Sequence, residues 1–291
     1  MSSIKTVGVV GAGTMGTGIA IVVARAGFKT RVFDMQQGML DNARKQAAAF
    51  LKKSVERGKM APGQDEAILA NWHGTTQMDD LADCDLVIEA VFEDLKVKHD
   101  LFSKLNALCP EHTIFASNTS TISITEIAGG SGRADRVVGM HFCLPAQLMK
   151  LVEMSPGMNT SDATFQTAWD FCKAMGQNPV KTRDTPGFIL NYFLIPWHND
   201  VINMVDQGVA DPADIDLAVK TALGYPLGPL ELLDMVGMDT QKLLCEAMVG
   251  LTHEPRAACP ALVKRMIGAG KLGRKTGAGF HTYDSNKIFG A

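Results

Sequence analysis

Apolar and polar positions fall into two textures along the 291-residue chain. In the first, short runs rich in β-branched residues alternate with segments of helical period. "TVGVV" (6–10) and "TRVFD" (30–34) have the apolar character of buried strands, and the stretch between them reads as a helix. Residues 36–57 predict a further helix, with Lys45, Lys52, Lys53 and Arg57 on its polar face. "DLVIEAV" (85–91) predicts another buried strand and "DLKVKHDLFSKLNAL" a helix. "TIFAS" (113–117), "VVGMHF" (137–142) and "KLVEM" (150–154) predict three more strands. Strands alternating with helices imply an α/β sheet with helices on both faces.

After "VKTRDTPGF" (180–188) the texture changes. Only helical periodicity follows, over 187–207, 212–222, 228–249 with a break at Gly237, and 259–268. Pro186 and Gly187 punctuate the change. The expected organisation is an α/β domain over 1–185 and an all-helical domain over 186–291.

Composition narrows the setting more than the chemistry. With 46% hydrophobic and 20% charged residues, and no apolar run of bilayer-spanning length, the chain reads as globular rather than membrane-embedded. A net charge of −3 leaves no basic excess for phosphates, which argues against a nucleic-acid or anionic-membrane partner. Six scattered cysteines without a CxxC pair suit reduced thiols, and the seven histidines show no close metal spacing. "MSSIKTVGVV" enters a strand without an apolar leader, and the final "IFGA" is not a peroxisomal tripeptide. The expected location is cytoplasmic.

The first specific chemistry lies at "GVVGAGTMG". Gly11, Gly13 and Gly16 form a GxGxxG between a strand and a helix, enclosing Ala12, Thr14 and Met15. Gly11 permits the tight turn, Gly13 lets the backbone approach a pyrophosphate, and Gly16 allows close helix–strand packing. The helix N-terminus then offers N–H groups and positive dipole to phosphate. Asp34, at the end of the second strand, would accept hydrogen bonds from a ribose 2′-hydroxyl and repel a 2′-phosphate. The N-terminal domain is therefore expected to be a Rossmann-type doubly wound sheet that binds NAD. "GKLGRKTG" (270–277) lacks P-loop spacing and follows no strand, so it is set aside as a phosphate site.

A second feature stands in "GMHFCLPAQLMKLVEM" (139–154), where His141 and Glu153 interrupt a nearly uncharged apolar segment. Taken alone, a core histidine and a strand-end carboxylate would explain them.

The chain resembles the L-3-hydroxyacyl-CoA dehydrogenase family, particularly the short 3-hydroxybutyryl-CoA dehydrogenases. The resemblance rests on "GAGTMGTGIA", "IEAVFEDLKVKHDLF", "FASNTSTISIT", "MHFCLPAQLMKLVEM", "DTPGFILN", "GYPLGPLELLDMVGMDT" and "GKLGRKTGAGF", and spans essentially the whole chain. It implies NAD-dependent, reversible oxidation of an L-3-hydroxyacyl-CoA to the 3-ketoacyl-CoA. It makes His141 the general base and Glu153 the residue that orients it. Ser120 should contact substrate and cofactor, and Asn191 should hydrogen-bond the substrate from a helix also carrying Phe188, Leu194 and Trp197. Glu93, Lys98 and Lys275 look like cofactor contacts. Lys52 and Arg57, with Lys53, could meet the CoA nucleotide, although Phe50 stands where the family has a serine. The resemblance also implies a homodimer formed through the C-terminal helices.

The departures are local. The family's "HFFNP" reads "HFCLP", its "VNR" reads "LNY", and "AQ" (146–147) replaces "VP". Leu144 thus replaces an asparagine expected near the nicotinamide, and Tyr192 an arginine. These changes put the ordinary short-chain substrate in question, not the redox chemistry. Two other readings stay open: a relative acting on a free 3-hydroxy acid or a carnitine-like alcohol, and an idle NAD-binding protein of the lens-crystallin kind.

Overall fold

The strand runs read from the sequence appear where apolar residues can be buried on both faces of a sheet. The computed structural model describes residues 4–284, so the "IFGA" reading and the start of "MSSIKTVGVV" lie outside the described residues. The chain forms two compact units, one running to Phe188 and one beginning at Ile189.

In the first unit the strands are β1 (Thr6–Val10), β2 (Lys29–Phe33), β3 (Trp72–Thr75), β4 (Leu86–Glu89), β5 (Ile114–Ser117), β6 (Val137–Phe142), β7 (Leu151–Pro156) and β8 (Asn178–Lys181). Among the described residues they form one sheet in the order β3-β2-β1-β4-β5-β6-β7-β8. The helices are α1 (Thr14–Arg25), α2 (Gln37–Glu56), α3 (Gln64–Ala70), α4 (Leu95–Leu108), α5 (Ile124–Gly129) and α6 (Asp162–Ala174).

Strand period divides the core in two. Val7, Val9, Leu86, Ile88, Ile114, Ala116, Val138 and Met140 pack with Ile19 and Val23 of α1, Ala43 of α2 and Phe171 of α6. The alternate residues Val10, Val87, Phe115 and Val137 pack with Phe102 and Leu105 of α4 and Ile127 of α5. Each such side chain, fully buried, contributes roughly 1.5–3 kcal/mol relative to exposure.

Strands β1 to β6 run parallel, and β7 turns back antiparallel to β6. The reason is length: residues 143–150 are too few for a crossover, which needs roughly a dozen or more. Helix α6 then carries the chain over to β8, which pairs parallel with β7.

Several elements went unread in the sequence. Strand β3, "WHGT", and β8, "NPVK", are short edge strands with mostly exposed positions, and β8 contains Pro179, which only an edge tolerates. The short α3 and α5 have too few turns to show a period; α6 went unread although Thr164, Ala168, Phe171 and Cys172 line its buried face.

The unit ends at Phe188, slightly beyond the expected division at 185, because the linker is bound to the first unit. The Asp184 carboxylate accepts from the Ser123 hydroxyl and from the N–H groups of Ile124 and Thr125 at the start of α5. Phe188, with φ of 47°, is buried in the α4/α5 core and precedes the next helix rather than lying on it.

The second unit consists of α7 (Leu190–Asp206), α8 (Pro212–Leu223), α9 (Pro229–Val236), α10 (Met238–Thr252) and α11 (Ala261–Gly268). Gly237, at φ of 99°, separates α9 from α10. Val201, Ile202, Leu230, Leu233, Met238 and Val263 form its core. The "GKLGRKTG" stretch leads into a tether: the Asp234 carboxylate accepts from the N–H groups of Phe280 and His281 and from the Tyr283 hydroxyl.

His198 of α7 is buried at 3% exposure, and its Nε2 has no hydrogen-bond partner. Burial lowers its pKa to about 4, with a hydrogen bond to Gln241 opposing. A depressed histidine stabilises the fold fully above its ordinary value near 6.5. As pH falls from 6.5 towards 4, the unfolded chain takes up a proton that the folded chain excludes, and stability is lost. The window corresponds to on the order of 3 kcal/mol. His198→Leu should therefore unfold in urea with a weaker dependence on pH between 7 and 4.5 than wild type. Parallel pH curves for the two proteins would remove His198 as the cause.

Candidate active site

The residues singled out in the first unit gather at the carboxyl edge of the parallel strands. Gly11 follows β1, Asp34 follows β2, Glu93 lies beyond β4, Ser120 beyond β5, and His141 is the penultimate residue of β6. The order 3-2-1-4-5-6 switches direction between β1 and β4, the place where open α/β sheets bind ligands.

The glycine loop has the shape its sequence predicts. Gly11 has φ of 99°, and a Cβ there would lie 2.6 Å from the Ala90 carbonyl oxygen. A Cβ on Gly16 would strike the Gly11 carbonyl oxygen, so both positions require glycine. Gly13 differs: a Cβ there would meet nothing within 4 Å, which leaves its backbone open to an approaching group. Gly13 is also the N-cap of α1 and supplies no side-chain acceptor for the helix's first N–H groups. Thr14 is exposed and Met15 partly so, while Ala12 is buried. The Asp34 carboxylate accepts from the Ala12 N–H at 2.9 Å and the Gln36 N–H at 3.0 Å. Those two bonds aim it across the loop and leave further lone pairs for hydroxyl donors. An open backbone, uncapped N–H groups and a fixed carboxylate fit a dinucleotide.

Beside the loop lies a buried ionic cluster. Lys98 is 1% exposed, and its ammonium lies 2.7 Å from Glu89 Oε1 and 3.3 Å from Glu93 Oε2. The resemblance made Lys98 a cofactor contact; in this structure its ammonium lies between two carboxylates. Glu93 Oε1 in turn accepts from the Thr119 hydroxyl at 2.6 Å, the Ser120 N–H at 2.9 Å and the Thr121 N–H at 3.0 Å. Burial would raise the Glu93 pKa, but Lys98 and these hydrogen bonds outweigh it and hold the carboxyl below its usual range. Glu93 thus organises the turn that presents Ser120.

His141 and Glu153 face each other across the β6–β7 ladder. Directly opposed residues place their Cβ atoms on one face within about 5.5 Å. His141 Nδ1 lies 2.8 Å from Glu153 Oε2; the glutamate side chain is fully buried and the imidazole 13% exposed. A carboxylate opposite Nδ1 assigns the proton to that nitrogen and leaves Nε2 as the lone-pair atom. Two neighbours brace the pair. The Phe142 N–H donates to Asn118 Oδ1 at 2.9 Å, fixing the end of β6, and the Phe188 ring packs 5.6 Å from the imidazole. Glu89, Asn118 and Phe188 were not among the residues picked from the sequence.

The remaining candidates are placed as follows. Leu144, in the turn after β6, is half-exposed. Lys52 and Arg57 are exposed on α2, where Phe50 packs against the core. In the second unit, Asn191 is half-buried on the first turn of α7, Tyr192 beside it is exposed, and Lys275 pairs with Asp239. Among the described residues no cluster of His, Cys, Asp or Glu has metal-holding geometry, and no helix is long and apolar enough to cross a membrane.

Comparison with known proteins matches residues 6–185 to "3-hydroxyacyl-CoA dehydrogenase, NAD binding domain" and residues 187–283 to "3-hydroxyacyl-CoA dehydrogenase, C-terminal domain". The chain is 42% identical over 277 residues to a probable 3-hydroxybutyryl-CoA dehydrogenase of Deinococcus radiodurans, covering 95% of this chain and 99% of that one. It is 41% identical over 287 residues to the mitochondrial hydroxyacyl-coenzyme A dehydrogenase of Rattus norvegicus, covering 96% and 91%. Among solved structures it is similar to (S)-3-hydroxybutyryl-CoA dehydrogenase of Ralstonia eutropha, with a TM-score of 0.90 and 37% identity over 97% of this chain and all of that one.

The setting of Asp34 predicts cofactor choice. Charge-assisted bonds to the ribose hydroxyls, and repulsion of a 2′-phosphate, should favour NADH over NADPH by at least about tens-fold in kcat/KM. Steady-state kinetics with both cofactors checks this, and equal values would contradict it.

Proposed function

The chain belongs to the 3-hydroxyacyl-CoA dehydrogenase family, and on that premise we propose that His141 and Glu153 form the acid–base dyad of an NAD-dependent 3-hydroxyacyl-CoA dehydrogenase. The observation that carries the assignment is the 2.8 Å contact between His141 Nδ1 and the buried Glu153, at the same sheet edge as the glycine loop. Held by Gly11–Gly16 and Asp34, NAD supplies a hydride acceptor for C3 of the substrate.

The protein's own residues manage the proton. His141 Nε2 takes it from the C3 hydroxyl as the carbonyl forms, and returns it in the reverse direction. Glu153 keeps the ring in the required tautomer and stabilises the imidazolium as it forms. Its burial strengthens that interaction, because little water competes for the carboxylate. Ser120, on the turn held by Glu93, contacts the reacting end of the substrate, and Asn191 hydrogen-bonds it. In this proposal the first unit binds cofactor and carries the dyad. The helical unit binds substrate and forms a homodimer, for which exposed Leu217, Leu223, Leu243 and Leu251 supply apolar surface. The six free cysteines suit a cytoplasmic setting.

Replacement of the dyad should separate chemistry from binding. His141→Ala should lower kcat by roughly two to four orders of magnitude while NADH affinity stays near wild type. Glu153→Gln should cost much of the same activity, and the double variant little more than the worse single one, because the pair acts as a unit. A double variant slowed by the product of the single effects would mean the two residues act independently. Assay of acetoacetyl-CoA beside a free 3-keto acid separates the CoA-dependent reaction from the free-acid alternative.

Leu144 bears on which acyl group is used. It is 49% exposed in the turn after His141, with Leu148 and Met149 also exposed. Apolar contact there is worth about 1–2 kcal/mol, several-fold or more in kcat/KM. Preference should therefore rise from acetoacetyl-CoA to longer 3-ketoacyl-CoA substrates, and Leu144→Asn should flatten that rise and tighten NADH binding. A flat or short-chain profile in wild type, with unchanged NADH affinity in the variant, would make the substitution structural.

A further inference from the structure

A carboxylate on the central strand β4 stands behind the turn that presents Ser120. Glu89 is fully buried at the last position of β4. Its Oε1 accepts from the Lys98 ammonium at 2.7 Å and from the Ser117 hydroxyl, and its Oε2 accepts from the Val91 N–H at 3.1 Å. A buried carboxylate without such partners would be strongly disfavoured, and here two of the three contacts, Lys98 and Ser117, lead towards the Ser120 turn. Through Lys98 it reaches Glu93, whose Oε1 gathers the Ser120 and Thr121 N–H groups. Through Ser117 it reaches the Thr119 N–H, which donates to the Ser117 hydroxyl oxygen at 3.2 Å. Both routes end in residues 119–121.

We propose that Glu89 is a positioning residue for the dehydrogenase reaction: it fixes Lys98, and through Lys98 and Glu93 it sets the turn that carries Ser120. The inference rests on the reading of Ser120 as a ligand contact. The geometry itself sets Glu89 apart from a core polar residue. One ammonium is shared by two carboxylates, one fully buried and one with a third of its side chain open to solvent, so the buried charge dictates where the open one is held. Lys98 has little freedom to follow Glu93, because its stem is enclosed on the buried face of α4 with Leu101, Phe102 and Leu105.

The test separates positioning from stability. In Glu89→Gln the amide cannot accept on both sides, since one end must present N–H groups either to Val91 N–H or to Lys98. The protein should lose thermal stability and kcat together. In the double variant Glu89→Gln and Lys98→Met, the glutamine carbonyl can accept from Val91 and its amide can donate to Ser117, with no ammonium left unpaired. Its Tm should return close to wild type. Positioning predicts that kcat stays at least about tenfold low, the scale of a misplaced contact, with KM for a 3-ketoacyl-CoA changed far less. It also predicts, in the ligand-free protein, amide exchange at Ser120 and Thr121 at least about tenfold faster than wild type. Without the Lys98 charge, Glu93 should protonate at higher pH, so the acid limb of activity moves up. Recovery of kcat and of amide protection along with Tm would overturn the proposal and leave Glu89 a stability residue. If the double variant does not fold, Glu89→Gln decides alone, with kcat expressed per NADH-binding site: a wild-type value overturns the proposal and a tenfold loss supports it. Failure of wild type to reduce any 3-ketoacyl-CoA would instead count against the functional reading, whereas the exchange measurement remains a test of Glu89 in either case.

Discussion

The site depends on β7 turning back against β6 at the end of a parallel run. Parallel strands bring side chains together at their carboxyl edge only through the loops that follow them, and loops hold geometry less tightly than strands. An antiparallel ladder opposes residues on rigid backbone instead, and here it opposes His141 to Glu153. The short 143–150 connection that forces the reversal therefore also fixes the distance between imidazole and carboxylate. Glu153 pays for complete burial with the loss of water, and the imidazole opposite it recovers part of that loss. Because both residues stand on strands, the pair needs no bound ligand to assemble.

Backbone N–H groups at this edge are used in two opposite ways. Those at the start of α1 are left without a side-chain cap, beside the open backbone of Gly13. Those of Ser120 and Thr121 are occupied by the chain's own anion, Glu93. A phosphate is thus attracted to the first and repelled from the second by the same electrostatics. The arrangement leaves the glycine loop open to an anion and the Ser120 turn already occupied by one.

Legibility in the sequence follows burial. Strands β1, β2 and β4 to β7 were readable because apolar residues cover both faces, whereas β3 and β8 sit at the sheet's edges with exposed or polar positions. The glycine loop and Asp34 stood out by residue type and spacing, whereas His141 and Glu153 were paired only through the family resemblance. The burial of Lys98 was not legible, since a lysine on an amphipathic helix ordinarily faces water. Its position held the missing signal: with Leu101, Phe102 and Leu105 it lies on the apolar stripe of α4, so its ammonium had to find buried carboxylates. Glu89 was hidden in the same way, as the last residue of an apolar strand. Asn118 and Phe188 act through a backbone N–H and a ring face, contacts that no spacing in a sequence encodes.

The departures at the site can be located relative to that frame. Cys143, Leu144 and Gln147 lie in the turn between the two strands that carry His141 and Glu153, not on them. What fixes His141 is the ladder to Glu153, the bond from Phe142 N–H to Asn118 and the Phe188 ring, and none of these passes through Leu144. On its other side the turn packs against α1, where a Cβ on Gly18 would fall 2.7 Å from Gln147 Oε1. A change of side chain at Leu144 therefore alters the surface of the turn while leaving the His141–Glu153 contact in place. Substitutions in this turn change an exposed surface, and those on the two strands change the contact between imidazole and carboxylate.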